Sequence, residues 1–376
     1  MKKVLFLATY GDFLATFEFS NITLWQLLGA TVHCASNFKD KKYNLKTNRL
    51  KEINVIRHEL EFDRKPFSLK NLRAFGKLKK IIRDEKIDII DCHNAVVGAY
   101  ARIAAKQCGV KTVIYTPHGF FFYKGSPRKN RVFKIIESNL SRITDLLITI
   151  NKEDYVAAQR MPLRGKALYV PGIGIDTKAI MKIPNNRIKY CKELNIPVDA
   201  QIYISVGELI PRKDHITAIK AFAEANLKNA YYIIAGIGTL KDQLQKLIED
   251  LGMTGKIKLL GYRLDVKELV KSCDVFLFPS KQEWLPVALM EAMACELPCI
   301  ASNIRGNVDL IVEKSGGYLF PSGNVPNLSK QIIKISNQSE KARNIMGLYN
   351  QKKIISFDIS NVRKIMLTQY SELINK

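Results

Sequence analysis

Short apolar segments alternate along this chain with segments in which apolar residues recur at helical spacing. Strands that are separated by helices pair in parallel, so the alternation predicts an α/β fold with doubly wound sheets. The pattern contains seven strands in the first half of the chain and five in the second. The predicted strands cover residues 3–9, 31–35, 54–58, 88–91, 112–116, 146–150, 167–170, 202–206, 231–235, 257–260, 275–278 and 299–301.

The chain is about twice as long as a usual domain, and one segment near its middle predicts where two domains meet. Its 376 residues are 47% hydrophobic, which is enough for two cores. Residues 171–175 read Pro-Gly-Ile-Gly-Ile, which suits a chain reversal better than a regular element. We therefore expect domains at residues 1–172 and 173–354, followed by a C-terminal helix at 355–376 within a helical pattern that begins at 342.

The apolar segments are too short to span a membrane, since none reaches about 18 residues. Met1-Lys2-Lys3 leads into the first strand without a small-residue cleavage site, so we expect no signal peptide and a cytoplasmic chain. Seven cysteines are scattered without paired spacing, which favours free thiols. Cys295 and Cys299 have no second Cys or His pair beside them, so buried thiols are expected there rather than zinc ligands.

Positive charge is concentrated in the first half of the chain. The formal charge is +24, and about +16 of it falls in residues 1–175, with clusters at 39–51, 64–83 and 124–134. The second cluster carries apolar residues at helical spacing between its cations, which predicts a basic amphipathic helix. Such a helix either packs on the sheet of its domain or meets anionic lipid headgroups. Nucleic acid is disfavoured, because no zinc-finger spacing or other recognition motif is present.

Two glutamates in the second half, Glu283 and Glu291, are eight positions apart. Eight positions at 3.6 residues per turn nearly return to one face of a helix, so both carboxylates can address one ligand. Leu285-Pro286 marks the expected helix start, because proline is tolerated in a first helical turn. Taken alone, the pattern fits a surface helix with two acids as well as it fits a binding site.

The motif and its surroundings resemble the family 4 retaining glycosyltransferases, in which two Rossmann-like domains face each other across a cleft (the GT-B fold). The resemblance covers essentially the whole chain. Trp284 and Glu296 stand where the family motif usually has glycines. In the family the last helix crosses back onto the N-terminal domain, which the resemblance implies here. The matching residues are Glu283, Leu285, Pro286, Glu291, Ala292, Met293, Ala294 and Pro298.

A second run, residues 205–215, follows the first strand of the second domain and opens a helix. Backbone amides, a helix N-terminus and the cations Arg212 and Lys213 converge there, which suits a diphosphate. The resemblance implies that Gly207 and Lys213 bind the donor phosphates. Glu208 replaces the arginine of the family, so Arg212 is the candidate to compensate. The plainer alternative is a helix start with ordinary surface cations.

Two further turns resemble family segments near the donor. Gly236 and Gly238 follow the second strand of this domain. Position 241 is lysine instead of the third glycine of the dinucleotide fingerprint, which argues against a nicotinamide enzyme. The turn with Tyr262 and Arg263 resembles the one whose backbone contacts the nucleotide base, although it also fits a turn without that role.

The first domain offers four candidate residues. His118 lies between proline and glycine after the fifth strand and matches a family position that faces the donor sugar. His93 ends the fourth strand and either lies on the acceptor side or orients the neighbouring loop. Gly11 follows the first strand and permits close approach of an anion. The resemblance gives Glu137 a supporting role, whereas the alternative is an ordinary helix carboxylate.

The resemblance implies an enzyme that transfers a sugar from a nucleotide-sugar donor, with UDP expected, and retains the anomeric configuration. Lys213 would stabilise the departing diphosphate, and Glu291 would bind the ribose. Glu283 and His118 would act at the transferred sugar. The corresponding loop has no Asp-x-Asp, so no metal and no other cofactor is expected.

Within the family, residues 206–215 and the segment after His118 resemble bacterial enzymes of capsular or exopolysaccharide synthesis. Their acceptors are sugars on an undecaprenyl diphosphate carrier, which implies a peripheral location on the inner face of the cell membrane. The basic first domain fits that anionic surface. The open alternatives are a nucleotide-sugar epimerase of the same architecture, a non-catalytic basic protein that binds membrane or nucleic acid, and a nicotinamide oxidoreductase.

Overall fold

Thirteen strands form two parallel sheets within residues 1–39 and 48–375, the part of the chain that the computed structural model describes. The sheets belong to two compact units. The first unit comprises Met1–Gly174 together with Ser360–Lys376, and the second comprises Ile175–Ile359. The chain therefore returns to its first unit after it has completed the second.

The first unit is an α/β sheet with helices in its crossovers. Its strands are β1 (Lys3–Tyr10), β2 (Thr31–Asn37), β3 (Ile56–Glu59), β4 (Ile89–His93), β5 (Thr112–Thr116), β6 (Leu146–Thr149) and β7 (Lys166–Tyr169). The strand order is β3-β2-β1-β4-β5-β6-β7. Its helices are α1 (Gly11–Phe13), α2 (Phe19–Leu27), α3 (Asn48–Glu52), α4 (Leu69–Asp84), α5 (Ala95–Cys108), α6 (Arg131–Ser141) and α7 (Lys152–Gln159), with a π-helical turn at Leu14–Glu18.

The second unit repeats this architecture with six strands. Its strands are β8 (Gln201–Val206), β9 (Ala230–Ala235), β10 (Ile257–Gly261), β11 (Val275–Phe278), β12 (Cys299–Ser302) and β13 (Gly317–Phe320), in the order β10-β9-β8-β11-β12-β13. Its helices are α8 (Thr177–Met181), α9 (Arg187–Leu194), α10 (His215–Ala225), α11 (Lys241–Asp250), α12 (Val266–Lys271), α13 (Val287–Ala294), α14 (Asn307–Leu310), α15 (Val325–Ser336) and α16 (Glu340–Ile354). A final helix, α17 (Ile359–Ile374), follows.

Both faces of the first sheet are covered by apolar residues, as a parallel sheet requires. Side chains alternate along β1, so that Leu5 and Leu7 pack with α4 and α5 while Val4 and Phe6 pack on the opposite face. Helix α17 belongs to that opposite face, where Tyr370 stacks on Trp25 of α2 with ring centroids 4.3 Å apart. The first unit is therefore completed by residues from the far end of the chain.

The predicted fold class is confirmed, and each of the twelve predicted strands is present. The strand that the sequence pattern missed is β13, which has four residues and follows Ser315-Gly316. Two adjacent glycines indicate a turn, and here the second of them opens the strand. Gly317 has φ +145°, and a Cβ atom there would lie 1.8 Å from the backbone oxygen of Cys299. The glycine is thus required by close pairing of β12 and β13.

The predicted basic amphipathic helix is α4, but its apolar stripe is divided. Leu78 and Ile82 pack in the core, as expected of a helix on a sheet. Leu69 and Leu72, in the first turn, are 78% and 60% exposed. Three of the six cations in the predicted cluster at 39–51 fall within residues 40–47, which lie outside the described residues.

The helical pattern predicted from 342 to 375 forms the helices α16 and α17, which are separated by a turn at Ile355–Phe357. Asp358 follows the turn and accepts a hydrogen bond from the Thr177 backbone amide at 3.1 Å. Pro286 was expected inside a first helical turn, and the structure instead places it at the N-cap of α13, with ψ 118°. A cap residue has non-helical dihedral angles, so the helix begins one residue later.

The seven cysteines are free thiols, and six of them are buried. Burial disfavours the thiolate and raises the pKa of Cys34 and of Cys295 to about 12. These side chains therefore act as small apolar groups in the packing of the two units.

The loops that follow β8 and β9 approach each other closely in the second unit. The Leu209 amide donates to the Ile237 oxygen at 2.9 Å. A Cβ atom at Gly236 would lie 1.9 Å from the Gly207 oxygen, and one at Gly238 would lie 2.4 Å from the Leu209 oxygen. Since the obstructing atoms are backbone, no rotation of a side chain can make room. The predicted glycines are therefore needed to bring the two loops together.

We expect Gly236→Ala to lower the free energy of unfolding by about 1–3 kcal/mol, the cost of overpacking a tight contact. The control is Gly255→Ala, because a Cβ atom at Gly255 would meet no other atom within 4 Å. Urea denaturation followed by circular dichroism measures both variants. Equal stability of the two variants would contradict the close approach of these loops.

Candidate functional site

Each sheet has one point at which its strand order reverses, and ligands of doubly wound sheets bind beside the carboxyl ends of the strands at that point. In the first unit the reversal lies between β1 and β4, and in the second it lies between β8 and β11. The predicted site residues follow these strands or their neighbours.

Three side chains of the first unit meet beside the ends of β1, β4 and β5. His93 Nδ1 lies 3.1 Å from His118 Nε2. Glu18 Oε1, from the π-helical turn, lies 3.6 Å from His93 Nδ1 and 3.3 Å from His118 Nε2. Glu18 and His93 are buried, and His118 is largely so. The structure therefore joins the two predicted histidines through a carboxylate that the sequence analysis missed.

The backbone around this cluster is in unusual conformations. His118 has φ +55° and Asn94 has φ +67°, in the region that favours glycine. The Asn94 side chain accepts a hydrogen bond from the Thr9 amide at 3.3 Å, which ties the end of β4 to β1. Strained residues of this kind are concentrated at ligand sites, because function must offset the cost of about 1–3 kcal/mol each.

Asp91, two residues before His93 on β4, lies beneath the cluster. Its Oδ1 is 3.4 Å from His93 Nε2, and its Oδ2 accepts a hydrogen bond from the Tyr370 hydroxyl at 3.0 Å. Burial, with a further contribution from the charge of Glu18, raises the pKa of Asp91 to about 8. Burial also lowers the pKa of His93 to about 4, so His93 is uncharged near neutral pH. Asp91 and His93 thus form a neutral buried pair.

The pKa of Glu18 is lowered, in the opposite direction to that of Asp91. Burial alone would raise its pKa, but interactions with His93, His118 and Asn21 outweigh burial and lower the pKa. The Asn21 amide donates to Glu18 Oε2 at 2.7 Å. Near neutral pH the site therefore holds one carboxylate that can accept hydrogen bonds from a sugar hydroxyl and one carboxylic acid that is protonated.

Two groups of side chains in the described ranges bring potential metal ligands within 4.8 Å of one another. The first is the cluster of Glu18, His93 and His118 itself. The second comprises His33, His58 and Glu85, in which His33 Nδ1 lies 3.0 Å from His58 Nε2. Both sets contain donors that zinc accepts. The expectation that the protein requires no metal stays a prediction.

Two further candidates of the first unit, Glu137 and Gly11, contact residues outside the histidine cluster. Glu137 is buried on α6, where it accepts hydrogen bonds from Arg102 Nη2 and from the Tyr115 hydroxyl, both at 2.8 Å. Tyr115 lies on β5 and precedes the His118 loop by three residues. A Cβ atom at Gly11 would lie 2.2 Å from the ring of Phe38, so a larger residue would displace this ring, and a role of Gly11 toward an anion stays a prediction.

The second unit presents a charged cluster at the ends of β8 and β11. Lys213 Nζ lies 2.7 Å from Glu283 Oε1, and Arg212 Nη1 lies 3.3 Å from Glu283 Oε2. Arg212 also donates to the Gln282 oxygen at 2.9 Å. Two cations therefore share one buried carboxylate, although Lys213 is 70 positions away from it in the sequence and Arg212 one position more. Glu208, at the position of the family arginine, is exposed.

Glu291 lies on α13, and its Oε1 is 2.9 Å from Lys267 Nζ. Leu285 and Pro286, ahead of the helix, are buried. Glu296, which stands where the family motif usually has glycine, has φ +66°. Glycine adopts this conformation without strain, whereas a residue with a side chain does not. Trp284 presents its backbone oxygen to Gly306, where a Cβ atom would lie 2.4 Å away. The larger side chains at positions 284 and 296 are thus accommodated, at position 296 in a left-handed backbone conformation.

The turn after β10 leaves Tyr262 exposed and holds Arg263 in ion pairs. Arg263 lies 2.5 Å from Glu193 Oε1 and 2.7 Å from Asp265 Oδ2. Hydrogen bonds to Glu193 and Asp265 raise the pKa of Arg263. The Arg263 side chain is therefore committed to neighbouring carboxylates, which leaves the backbone of the turn for a ligand.

The raised pKa of Asp91 gives a prediction for stability against pH. A buried acid with a raised pKa keeps its proton in the folded state where the unfolded chain has lost it, so stability falls as the pH rises toward about 8. Between pH 6.5 and 8 we expect Asp91→Asn to lose less stability than the wild type, by at most about 1.4 kcal/mol per pH unit. Urea denaturation at several pH values measures this difference.

The control for that series is Asp84→Asn, because Asp84 is exposed at the end of α4. The lowered pKa of His93 acts in the other direction and only below about pH 6.5, so it does not enter the chosen window. Parallel curves for wild type and Asp91→Asn would show that Asp91 is ionised in the folded protein.

Comparison with known proteins places these sites in context. Residues 3–151 match the family model for glycosyl transferase 4-like domains, and residues 186–353 match the model for glycosyl transferases group 1. EpsD of Bacillus subtilis, described as a glycosyltransferase, is 30% identical over 98% of this chain and 96% of its own. The UDP-Gal:alpha-D-GlcNAc-diphosphoundecaprenol alpha-1,3-galactosyltransferase of Escherichia coli is 30% identical over 82% of this chain and 81% of its own.

A solved structure has the same fold at low identity. The crystal structure of Anabaena HepE in complex with UDP has a TM-score of 0.80, covers 99% of this chain and 100% of HepE, and is 19% identical. The chain matches both family models and a relative of nearly equal extent, and its two sheets agree with a solved GT-B protein. It therefore belongs to the glycosyltransferases of group 1.

Proposed function

We propose that this chain is a retaining glycosyltransferase that moves a sugar from a UDP-sugar to a lipid-linked glycan in capsule or exopolysaccharide synthesis. The donated group is a hexose or an N-acetylhexosamine. The observation that supports this function most directly is the pairing of Lys213 and Arg212 with Glu283 beside the point where the second sheet reverses.

The charges of this cluster suit the bond that is broken. Cleavage between the anomeric carbon and the diphosphate places negative charge on the leaving group, which Lys213 and Arg212 stabilise. Glu283 pairs with both cations while the donor is absent and accepts hydrogen bonds from sugar hydroxyls when the donor is bound. Glu291 binds the ribose hydroxyls, and the backbone of the Tyr262 turn contacts the base.

The histidine cluster of the first unit acts on the transferred sugar. His118 donates to or accepts from a sugar hydroxyl, and Glu18 and His93 hold its ring. The acceptor hydroxyl attacks on the face from which the diphosphate leaves, and an oxygen of the diphosphate takes the hydroxyl proton. The new bond therefore has the configuration of the old one. No step requires a metal.

The relatives support the choice of donor and acceptor. HepE, which shares the fold, was crystallised with UDP. The Escherichia coli relative carries UDP-Gal and a GlcNAc-diphosphoundecaprenol in its name. An acceptor of this chemistry is anchored in a membrane, so the enzyme meets it at the inner face of the cell membrane as a peripheral protein.

The surface of the first unit supports that location. In the described part of the chain, no helix is both long and apolar enough to cross a membrane. The first turn of α4 exposes Leu69 and Leu72 beside the exposed cations Lys70 and Arg73. Exposed apolar groups among cations are typical of helices that lie on anionic lipid.

We expect Lys213→Ala to lower the turnover of sugar transfer by about 10²–10³-fold, since removal of one charge-stabilising donor has this effect in other enzymes. Arg212→Ala should retain part of the activity, and the double variant should be nearly inactive. Glu283→Gln should lower turnover with little effect on UDP affinity, whereas Glu291→Ala should mainly weaken UDP binding. Product formation and UDP titration measure these effects.

The control for these variants is Lys246→Ala, an exposed cation on α11. All assays contain EDTA, so that full activity in its presence also tests the expected absence of a metal. Release of UDP must depend on the acceptor, because an epimerase of the same architecture would release it without one. Wild-type transfer in Lys213→Ala, or binding of NAD in place of UDP, would overturn the proposal.

For the membrane, we expect the protein to sediment with vesicles that contain anionic lipid and to be released by salt, since exposed charges are screened beyond about 10 Å at 0.1 M ionic strength. Replacement of Lys70, Arg73, Lys77 and Lys80 by Gln should weaken sedimentation without changing UDP affinity.

A matched variant removes four exposed lysines from the second unit, Lys228, Lys246, Lys330 and Lys352. If it loses as much binding as the α4 variant, or if neutral vesicles bind equally well, the association reflects net charge or apolar contact instead of this helix.

A further inference from the structure

The first unit contains an open cavity of about 430 Å³ that neither the histidine cluster nor the sheet core explains. Its wall is formed by the segment after the His118 loop, by α6 and by the α7 region. The segment Phe120–Tyr123 joins His118 to this wall, and the rings of Phe120 and Phe122 stack with centroids 4.7 Å apart. The cavity therefore adjoins the proposed sugar site along the chain.

Four cations line the cavity, and none of them forms an ion pair with another described residue. Arg128, Arg131, Lys134 and Arg160 all contribute to its wall. Among the described residues, none of these four side chains lies within 4.0 Å of a carboxylate oxygen. Neighbouring cations that are not ion-paired repel one another, and an anion in the cavity lowers that repulsion.

Two carboxylates also line the cavity, and both accept hydrogen bonds from the segment or residues around it. Glu153 Oε1 accepts from the Lys124 amide at 2.6 Å. Asp154 Oδ2 accepts from the Phe120 amide at 3.2 Å and from Asn151 Nδ2 at 2.7 Å. They hold the loop in place, and four cations against two carboxylates leave the cavity an excess of two positive charges for a ligand.

The composition and size of the wall favour phosphate. Three of the four cations are arginines, whose planar guanidinium groups bind phosphate oxygens in pairs. A volume of about 430 Å³ lies within the usual range for small-molecule sites and exceeds the need of one phosphate. A diphosphate with part of an attached group is of suitable size.

Apolar side chains lie beside the cations on α6. Val132, Ile135 and Ile136 are 50%, 62% and 37% exposed. Phe121 is also exposed and packs against Phe133 with ring centroids 5.3 Å apart. Exposure of these apolar side chains to water is unfavourable, and a hydrocarbon chain that follows the phosphates would cover them. Phosphate and hydrocarbon next to each other are the chemistry of a polyprenyl diphosphate.

We propose that this cavity binds the diphosphate of the lipid-linked acceptor, and that the exposed residues of α6 contact the first isoprene units. The identity of the acceptor rests on the proposed function. The site differs from the donor diphosphate site, which lies in the other unit at Arg212 and Lys213. It would hold the acceptor by its carrier while the sugar end reaches toward His118.

The test is calorimetric titration of the protein saturated with UDP, so that the donor site is filled. Farnesyl diphosphate, inorganic diphosphate and farnesol are the three probes. We expect farnesyl diphosphate to bind most tightly, inorganic diphosphate more weakly and farnesol least. The double variant Arg131→Gln/Arg160→Gln should bind both diphosphates at least tenfold more weakly, and Arg142→Gln, an exposed arginine just beyond α6, should bind them as the wild type does.

A second pair of substitutions separates the lipid from a soluble phosphate. Val132→Ser/Ile135→Ser should weaken binding of farnesyl diphosphate and leave that of inorganic diphosphate unchanged. Equal affinity of the wild type for the two diphosphates would mean that a soluble phosphate compound is the ligand, which overturns the lipid assignment. Unchanged affinity for both diphosphates in the double arginine variant would show that this cavity does not bind them.

The outcome is independent of the donor site. Thermal melting verifies that each variant is folded. If the arginine variant loses farnesyl diphosphate but still binds UDP, with a raised KM for a lipid-linked acceptor, the inference stands. If the wild type shows no UDP binding, the proposed function fails, and the comparison of diphosphates in the absence of UDP still decides whether this cavity is a site.

Discussion

The buried hydrogen bond between Tyr370 and Asp91 is the constraint on which the first site depends. Asp91 has no solvent exposure, and a carboxyl group in such a place must either pair or stay protonated. Tyr370 satisfies one of its oxygens, while the other faces His93. Because Tyr370 comes from the last helix, the position of His93 depends on both ends of the chain. Packing of Tyr370 against Trp25 holds that helix in place.

The two candidate sites solve different electrostatic problems. In the first unit burial keeps His93 neutral and Asp91 protonated, so the site can exchange hydrogen bonds with hydroxyl groups at little cost in charge. In the second unit Arg212 and Lys213 converge on Glu283, which leaves an excess of one positive charge for a diphosphate. One unit is therefore suited to sugar hydroxyls and the other to phosphate, which is the division of labour that a sugar transfer from a nucleotide requires.

The structure shows where the positive charge of the first unit is concentrated. Part of it lies along the exposed face of α4, and part surrounds the cavity beside α6. A uniformly basic surface would attract any anion, whereas four cations around one cavity, none of them ion-paired within the described ranges, favour a compact anion. Under the proposed function, the exposed apolar residues of α4 and α6 favour lipid over a soluble anion, a preference that charge alone does not provide.

Much of this protein was readable in the sequence. The alternation of strands and helices determined the fold class, because a buried parallel strand must be apolar on both faces and short. Lys213, His118 and Glu283 could be recognised because each follows such a strand and matches a motif of the resembled family. The signals for β13 and Glu18 were weaker. Gly316-Gly317 indicates a turn as readily as a strand start, and Glu18 stands in an aromatic run without regular spacing.

Only the tertiary structure decided which of these residues meet. Residues 18, 91, 93, 118 and 370 converge because strand order, not sequence distance, determines which carboxyl ends are neighbours. The protonation of Asp91 and the neutrality of His93 follow from burial, which depends on helix α17 and cannot be read from their local sequence. The cavity at Arg131 and Arg160 likewise exists only once α6 and α7 lie side by side. Local pattern thus determines the elements, whereas the chemistry of the sites arises from long-range contacts and the exclusion of water.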